Sequence, residues 1–503
     1  MGNYNHIPFH ELVNGKYGRK VAYTDAEVVT RDNVTKILAD NIGIFNKNKT
    51  AIEYLWNYYK GDQLMHYRTK DNAMRDDIVN RIVENHAYSI VQFKTSQTFG
   101  EPVQYISRKD DAEINKSVDV LNDYMIDVDK QSKDIKAGEW QSATGTSFKA
   151  VQKALGEEIP FRIVAPSPLT TFIIYSRITE EPMLSVQELK TEDGEFYYLC
   201  FSKNKEFRIK GGVCIESKPH AYGGIPIVEY PNNWERISDI ELVIDLLDAV
   251  SNMQTNRMDG VEQFVQSWIK FVNCDVDEQT FNKMKLSGAL VVKSNNGSEN
   301  KADVDVMTQE LNQSETQVAK DDLWDNALEI LGMPNRASNK SSGGDTMGAT
   351  ELKEGWNTAK LTTQVKDPLV KTSEKRLAKI VLQILHLAEM DLKITMRDFD
   401  VQINHAPTDN MVVKCQSLQY LLQCGISPMV AIKTVSLWSD AEKTYMLSKP
   451  YMDALWKTVD QKKAEEEEQQ AKQLLSEFEQ NKLINTESTQ VPETNADTMS
   501  IRK

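Results

Sequence analysis

Ser238-Asp239-Ile240-Glu241, followed by Ile244-Asp245-Leu246-Leu247-Asp248-Ala249, is the stretch on which the reading of this chain turns. Ser238 has the chemistry of a helix N-cap, and Asp239 and Glu241 fall in the first turn, where the helix dipole favours acids. Beyond them apolar residues recur at helical spacing through Val250, Met253, Val261, Phe264 and Ile269. No proline stands between Pro231 and Pro334. The spacing therefore predicts about 30 residues of helix over 239–270, roughly 45 Å long. The same stretch carries Asp239, Glu241, Asp245, Asp248, Asp259 and Glu262 against Arg257 and Lys270. Such an acidic face is either solvated outer surface or the wall of a channel that repels phosphates, since binding a polyanion needs cations.

Downstream, Leu290-Val291-Val292-Lys293 and Val304-Asp305-Val306-Met307 read as two strands about Asn295-Asn296-Gly297, a hairpin signal. Ser314 then caps a second helix through Val318, Leu323, Trp324, Leu328 and Leu331. A hairpin module, 271–313, is thus inserted between two helices, 236–270 and 314–333. A two-stranded hairpin is marginal alone, so it has to pack on neighbours, and a closed ring of copies supplies them. Gly332 to Gly348 is rich in glycine and serine and reads as a mobile loop, with Arg336, Lys340 and Asp345 as its charges. A long helix is expected over 349–390, kinked at Pro368, whose ring removes a backbone donor. Further helices fill 391–457. Residues 458–503, with the run Glu465 to Glu468, read as a polar tail that frays into disorder.

Upstream, 1–34 looks like a loosely structured arm. Helical spacing starts near Val34 and runs into the aromatic cluster Tyr54, Trp56, Tyr58 and Tyr59, which Lys60-Gly61 stops. Further helices are expected over 80–99 and 111–136. Short runs rich in aromatic and β-branched residues then fill 145–231, with turns such as Glu192-Asp193-Gly194. The fold class is α+β and mostly helical.

The chain has 503 residues, 74 acids and 59 bases, a net charge of −15. Such a balance excludes wrapping nucleic acid over the whole surface, though one local basic element still allows a contact. The five cysteines, Cys200, Cys214, Cys274, Cys415 and Cys424, show no CxxC spacing and fit buried free thiols in a reducing compartment. No apolar run reaches the roughly 18–20 residues of a membrane span, and the polar start lacks a signal region; the chain is expected to be made in the cytoplasm. A phosphate loop, HExxH, GxSxG and an EF-hand loop are all absent from the sequence. No catalytic residue, metal or cofactor is expected. Asp275 and Asp277 make a metal pair on paper, and a metal-dependent nucleic-acid enzyme built on them is one alternative; spaced carboxylates on a turn are more often solvated. A non-enzymatic adaptor or scaffold protein is the second alternative.

The order of elements carries a resemblance. Tyr58-Tyr59-Lys60-Gly61-Asp62-Gln63 is followed by Asn80-Arg81-Ile82-Val83, Phe99-Gly100-Glu101-Pro102-Val103, Pro226-Ile227-Val228-Glu229-Tyr230 and the stretch from Ser238. Across about residues 45–450 the sequence resembles the portal proteins of tailed bacteriophages, in the branch typical of long-tailed phages of Gram-positive hosts. The resemblance implies a non-enzymatic ring, usually of twelve copies, at one capsid vertex of the virion. It implies a wing over 35–235, stem helices over 236–270 and 314–333, a clip over 271–313, a tunnel loop over 334–348, a wing-spanning helix over 349–390 and a crown over 391–457. Arg336, Asn339, Lys340 and Ser341 would then meet double-stranded DNA, and Asp245, Asp248, Asp259 and Glu262 would line the channel. The partners implied are the terminase large subunit, a head–tail adaptor, and major capsid and scaffolding proteins. The arm matches no motif of the family.

Overall fold

A computed structural model of the chain describes residues 5–69, 78–109, 111–154, 156–265, 268–272, 279, 303–307, 313–335, 355–390, 392–405, 411–435, 441–455 and 472. The chain divides into two units, Met1–Asn410 and Met411–Lys503.

In the first unit the arm is no loose tail. Helix α1 (Phe9–Leu12) buries Phe9 completely, with its ring 5.1 Å from that of Tyr54. Strand β1 (Ala22–Thr24) pairs in parallel with β5 (Thr171–Ser176). The anchors Phe9, Arg19 and Ala22 are scattered without a period, so nothing local marks the arm as structured. Helix α2 (Val34–Tyr59) stops at Lys60-Gly61 as expected. Helix α3 (His86–Phe99) is shorter than the pattern over 80–99 predicts, because Asn85 caps it by accepting from the Tyr88 amide. The helix expected over 111–136 is two helices, α4 (Ala112–Asp127) and α5 (Lys130–Thr144), broken where Asp129 turns left-handed at φ 53°. Helix α5 is mostly polar and yet mostly buried, which its composition hides.

Strands β6 (Pro182–Lys190), β7 (Phe196–Phe201), β8 (Lys205–Lys210) and β9 (Val213–Pro219) continue from β5 as an antiparallel meander, giving the order β1-β5-β6-β7-β8-β9. A three-stranded sheet runs β10-β3-β4, from Ile227–Pro231, Thr146–Lys153 and Phe161–Val164. Helices α6 (Ile244–Val265) and α7 (Gln313–Leu331) pack on each other. Between them in sequence lies an antiparallel pair, β11 (Trp268–Val272) with β12 (Asp303–Met307). The second strand is the one predicted, but its partner is the stretch read as the end of the first helix. Leu290–Lys293 lies outside the described residues. Pro368 does not kink one long helix. Helix α8 (Trp356–Gln364) ends and α9 (Asp367–Leu387) begins around it, with Pro368 in the first turn, where a missing amide costs nothing. Strand β13 (Phe399–Gln402) pairs with β2 (Gln104–Ser107).

Helix α9 lays Val370, Leu377, Ile380, Val381, Ile384 and Leu385 into the largest core, against β2, β13, α4 and the three-stranded sheet. Inside it lies a closed set of charges. Lys149 donates to Asp134 and, at 2.5 Å, to Glu374, while Lys130 reaches Asp134 at 2.5 Å and Glu374 at 3.2 Å. Tyr105 and Tyr230 donate to the same Glu374, both at 3.1 Å. Burial alone would push the Glu374 carboxyl up, but the two lysines outweigh it and hold it well below the ordinary range. Two cations against two carboxylates leave no net buried charge, so each ion's desolvation is offset by its partners.

The second unit holds α10 (Met411–Gln423), α11 (Pro428–Val435), begun by its proline, and α12 (Ala441–Leu455). Ala431, Ile432 and Val435 are buried. Cys200 and Cys214 are buried free thiols, but Cys415 and Cys424 are exposed ones. Among the described residues no helix is long and apolar enough to cross a membrane.

Candidate functional site: the helix pair and the base of its loop

Helix α6 starts at Ile244, later than the Ser238 cap predicts, because residues 239–243 form a turn, itself held by a reciprocal pair of bonds. The Ser238 Oγ accepts from the Ile240 amide at 3.0 Å, and the Glu241 carboxylate accepts from the Ser238 amide at 2.9 Å. Ser-x-x-Glu is the capping-box spacing. Glu241 also accepts from the buried Arg19 at 2.5 Å. Asp239 accepts from Lys366 at 3.0 Å and from the Ser142 hydroxyl at 2.7 Å. Burial would raise the Asp239 carboxyl, but Lys366 and Lys94 hold it below its usual range.

Along α6, Ser251, Thr255 and Asp259 stand one helical turn apart. They accept, in that order, from the backbone amides of Glu84 at 3.3 Å, Ile82 at 3.2 Å and Asn80 at 3.0 Å. Four residues of helix rise about 6 Å, and two residues of extended chain span about 6.6 Å. The two repeats match, so residues 78–84 lie along the helix as a ladder. This corrects the reading of Asp259 as a channel-lining acid. It is 4% exposed, holds Asn80 twice and lies 3.7 Å from Arg68. Asp248 is half-buried and accepts from the Tyr58 hydroxyl at 2.8 Å; desolvation raises its pKa to about 6. Asp245 is exposed, 3.4 Å from His10. Glu262 is partly exposed. Of the six acids, three are therefore buried within the subunit, and the acidic face is narrower than its sequence suggests.

Helix α7 meets α6 through Arg257 to Gln317 at 2.6 Å and Lys320 to Gln254 at 3.1 Å. Its Trp324 stacks on His86, with ring centroids 4.0 Å apart. The helix ends in a Schellman turn: the Gly332 amide donates to Glu329 and the Met333 amide to Leu328. Gly332 takes φ 59°, which favours glycine. The Leu331 carbonyl accepts from the buried Lys94 ammonium at 2.5 Å, and Asn335 donates to Asp325 at 2.7 Å. On the return side, a Cβ placed on Gly355 would sit 3.8 Å from the Pro334 Cα. The two ends of the segment 336–354 therefore meet at one point of the body, beside α3, where Phe93 lies 6.1 Å from Trp356. Arg336, Asn339, Lys340 and Ser341 are in that segment, outside the described residues, as are Asp275 and Asp277. Among the described residues no cluster of acids, histidines and cysteines has metal-holding geometry.

The Schellman turn and the anchoring of both loop ends were not read from the sequence, although Gly332 after Leu331 carries a signal for the turn. The ladder has a fainter one, Ser251-x-x-x-Thr255-x-x-x-Asp259, which only an extended neighbour makes meaningful.

No curated protein matches the chain. A family model for phage portal protein, SPP1 Gp6-like, matches residues 39–474, most of the chain. With that match over its α+β body, helix pair and loop base, the chain belongs to the SPP1 Gp6-like family of phage portal proteins.

Proposed function

We propose that copies of this chain close into a ring, of twelve subunits in the usual family arrangement, that forms the DNA channel at one vertex of a tailed-phage capsid. Genome enters through it during packaging and leaves through it at ejection. The ring docks the terminase large subunit, which supplies ATP hydrolysis, and later a head–tail adaptor, and it sits among major capsid and scaffolding proteins. The chain itself acts as a structural conduit rather than an enzyme. In this reading 35–235 is the wing, α6 and α7 are the stem, 271–313 is the clip, 334–348 is the tunnel loop, α8 and α9 span the wing, and 391–457 is the crown.

The observation that carries the reading is the loop base. A segment bearing Arg336 and Lys340 leaves and re-enters the body at one point, with α7 fixed beneath it by Lys94 and the Schellman turn. Cations on such a segment meet phosphates without reading sequence. Asp245 and Glu262 remain as acids for the channel wall.

Electron microscopy of the purified protein tests the ring: a closed annulus with a hole about as wide as duplex DNA is expected, and monomers at high concentration would refute it. The double variant Arg336→Ala/Lys340→Ala is expected to assemble normally and to package or retain several-fold less DNA. Unchanged packaging and retention would remove the loop from the mechanism.

A further inference from the structure

We propose that His405 is a pH-sensitive latch: as an imidazolium it fastens the stretch after β13 to the C-terminal end of α3 and the first turn of α9, and loss of its proton at higher pH unfastens that stretch. Both ring nitrogens face acceptors. Nδ1 lies 2.9 Å from the Gln97 carbonyl oxygen, and Nε2 lies 3.1 Å from Asp367 Oδ2. A neutral imidazole carries one N–H and one lone pair, so it can donate to one of these oxygens and must set its lone pair against the other. Only the doubly protonated ring donates to both. The His405 and Asp367 side chains are 11% and 16% exposed, which leaves water little access to relieve that clash.

The two helix ends favour the same charge. Gln97 lies in the last turn of α3, among the carbonyls that a helix leaves without an amide of its own, and a cation is stabilised there by the dipole. Asp367 opens α9, and its Oδ1 is buried without a hydrogen-bond partner. A neutral His405 would leave this carboxylate with less to offset its desolvation. The charged groups that act on the ring are Asp367 on α9 and Lys360 on α8; the neighbouring Lys366 is turned to Asp239 at 3.0 Å. The Asp367 hydrogen bond outweighs burial and Lys360, and holds the imidazolium above its ordinary value of 6.5. Because the folded value is the higher one, the latch stabilises fully below about pH 6.5, and that stabilisation is lost as pH rises through the folded value. One turn earlier on α3, Lys94 holds the Leu331 carbonyl, so the same helix end carries both the loop base and the latch. Neither contact depends on the chain forming a ring.

The test reads the histidine directly in the full chain. Exchange of the ring Cε1 proton for deuterium, followed by mass spectrometry from about pH 5 to about pH 9, gives a titration midpoint for each histidine. The His405 midpoint is expected above that of a free histidine peptide and above those of His86 and His220, which burial lowers. Asp367→Asn is expected to bring the His405 midpoint down while leaving that of His220 in place. Thermal melts of the wild-type chain and of His405→Gln give a second readout. The wild type's advantage in Tm is expected to shrink by about half or more between about pH 6 and about pH 9; a contact of shape alone would keep it constant. A wild-type His405 midpoint at or below that of the free peptide would overturn the proposal. So would an unchanged midpoint in Asp367→Asn, or a Tm advantage that is the same at both ends of the range.

Discussion

Asp248 shows how far a single carboxylate can be moved by its place in the fold. It is half-buried on α6, accepts from Tyr58, and has Asp245 and His10 nearby. Desolvation dominates and lifts its pKa from 3.8 to about 6, so the folded chain keeps a proton that the unfolded chain releases near pH 4. The group therefore costs nothing below about pH 4, costs progressively more as pH rises to about 6, and costs its full amount above. Asp248→Asn keeps an acceptor for Tyr58 and removes the charge. It is expected to stabilise the protein by about 1–2 kcal/mol at pH 7–8, with the gain fading by pH 4. Denaturant melts across that range check the slope; a gain independent of pH would refute the assignment. The other acids of the stretch are harder to read from sequence because their partners are remote. Glu241 meets Arg19 from 222 residues away, and Asp239 meets Lys366 from 127.

Elements are held here as much by polar registration as by apolar faces. Residues 78–84 have no helix or sheet of their own, and their alternate amides bond to a stripe of α6. Removing one rung leaves a part-buried amide without an acceptor. Thr255→Val is expected to cost about 1–2 kcal/mol and to speed amide hydrogen exchange at Ile82 while leaving β5 through β9 protected. Uniform loss of protection would show that the ladder is not a local clasp. Helix α5 follows the same logic, since Lys130 and Asp134 point into a core where Lys149 and Glu374 complete them. Periodicity arguments count apolar residues, so they miss the ladder, and they reach only the first half of this helix without showing its burial. They also ran α6 through to residue 270, because Trp268 to Val272 is apolar enough to continue a helix, and only its pairing with Asp303–Met307 makes it a strand.

At the scale of the molecule, every large apolar cluster among the described residues is built from residues up to Ile403, within Met1–Asn410. A chain ending at residue 410 is expected to fold and melt cooperatively, within about 3 °C of the full chain. Circular dichroism and scanning calorimetry check this, and a non-cooperative melt would show that Met411–Lys503 is needed for the core.

By itself the sequence determined the α+β class, the run of short strands over 145–231, the inserted module between two helices and the family, because these rest on local periodicity, turn chemistry and the order of elements along the chain. The tertiary structure alone decided which acids of the 238–262 stretch stay exposed, that the arm is a strand and an anchor, that α5 is buried, and that the loop's two ends coincide. Each of those depends on a partner more than 10 residues away, and a charge or an amide has no fixed role until the fold brings that partner within about 3 Å.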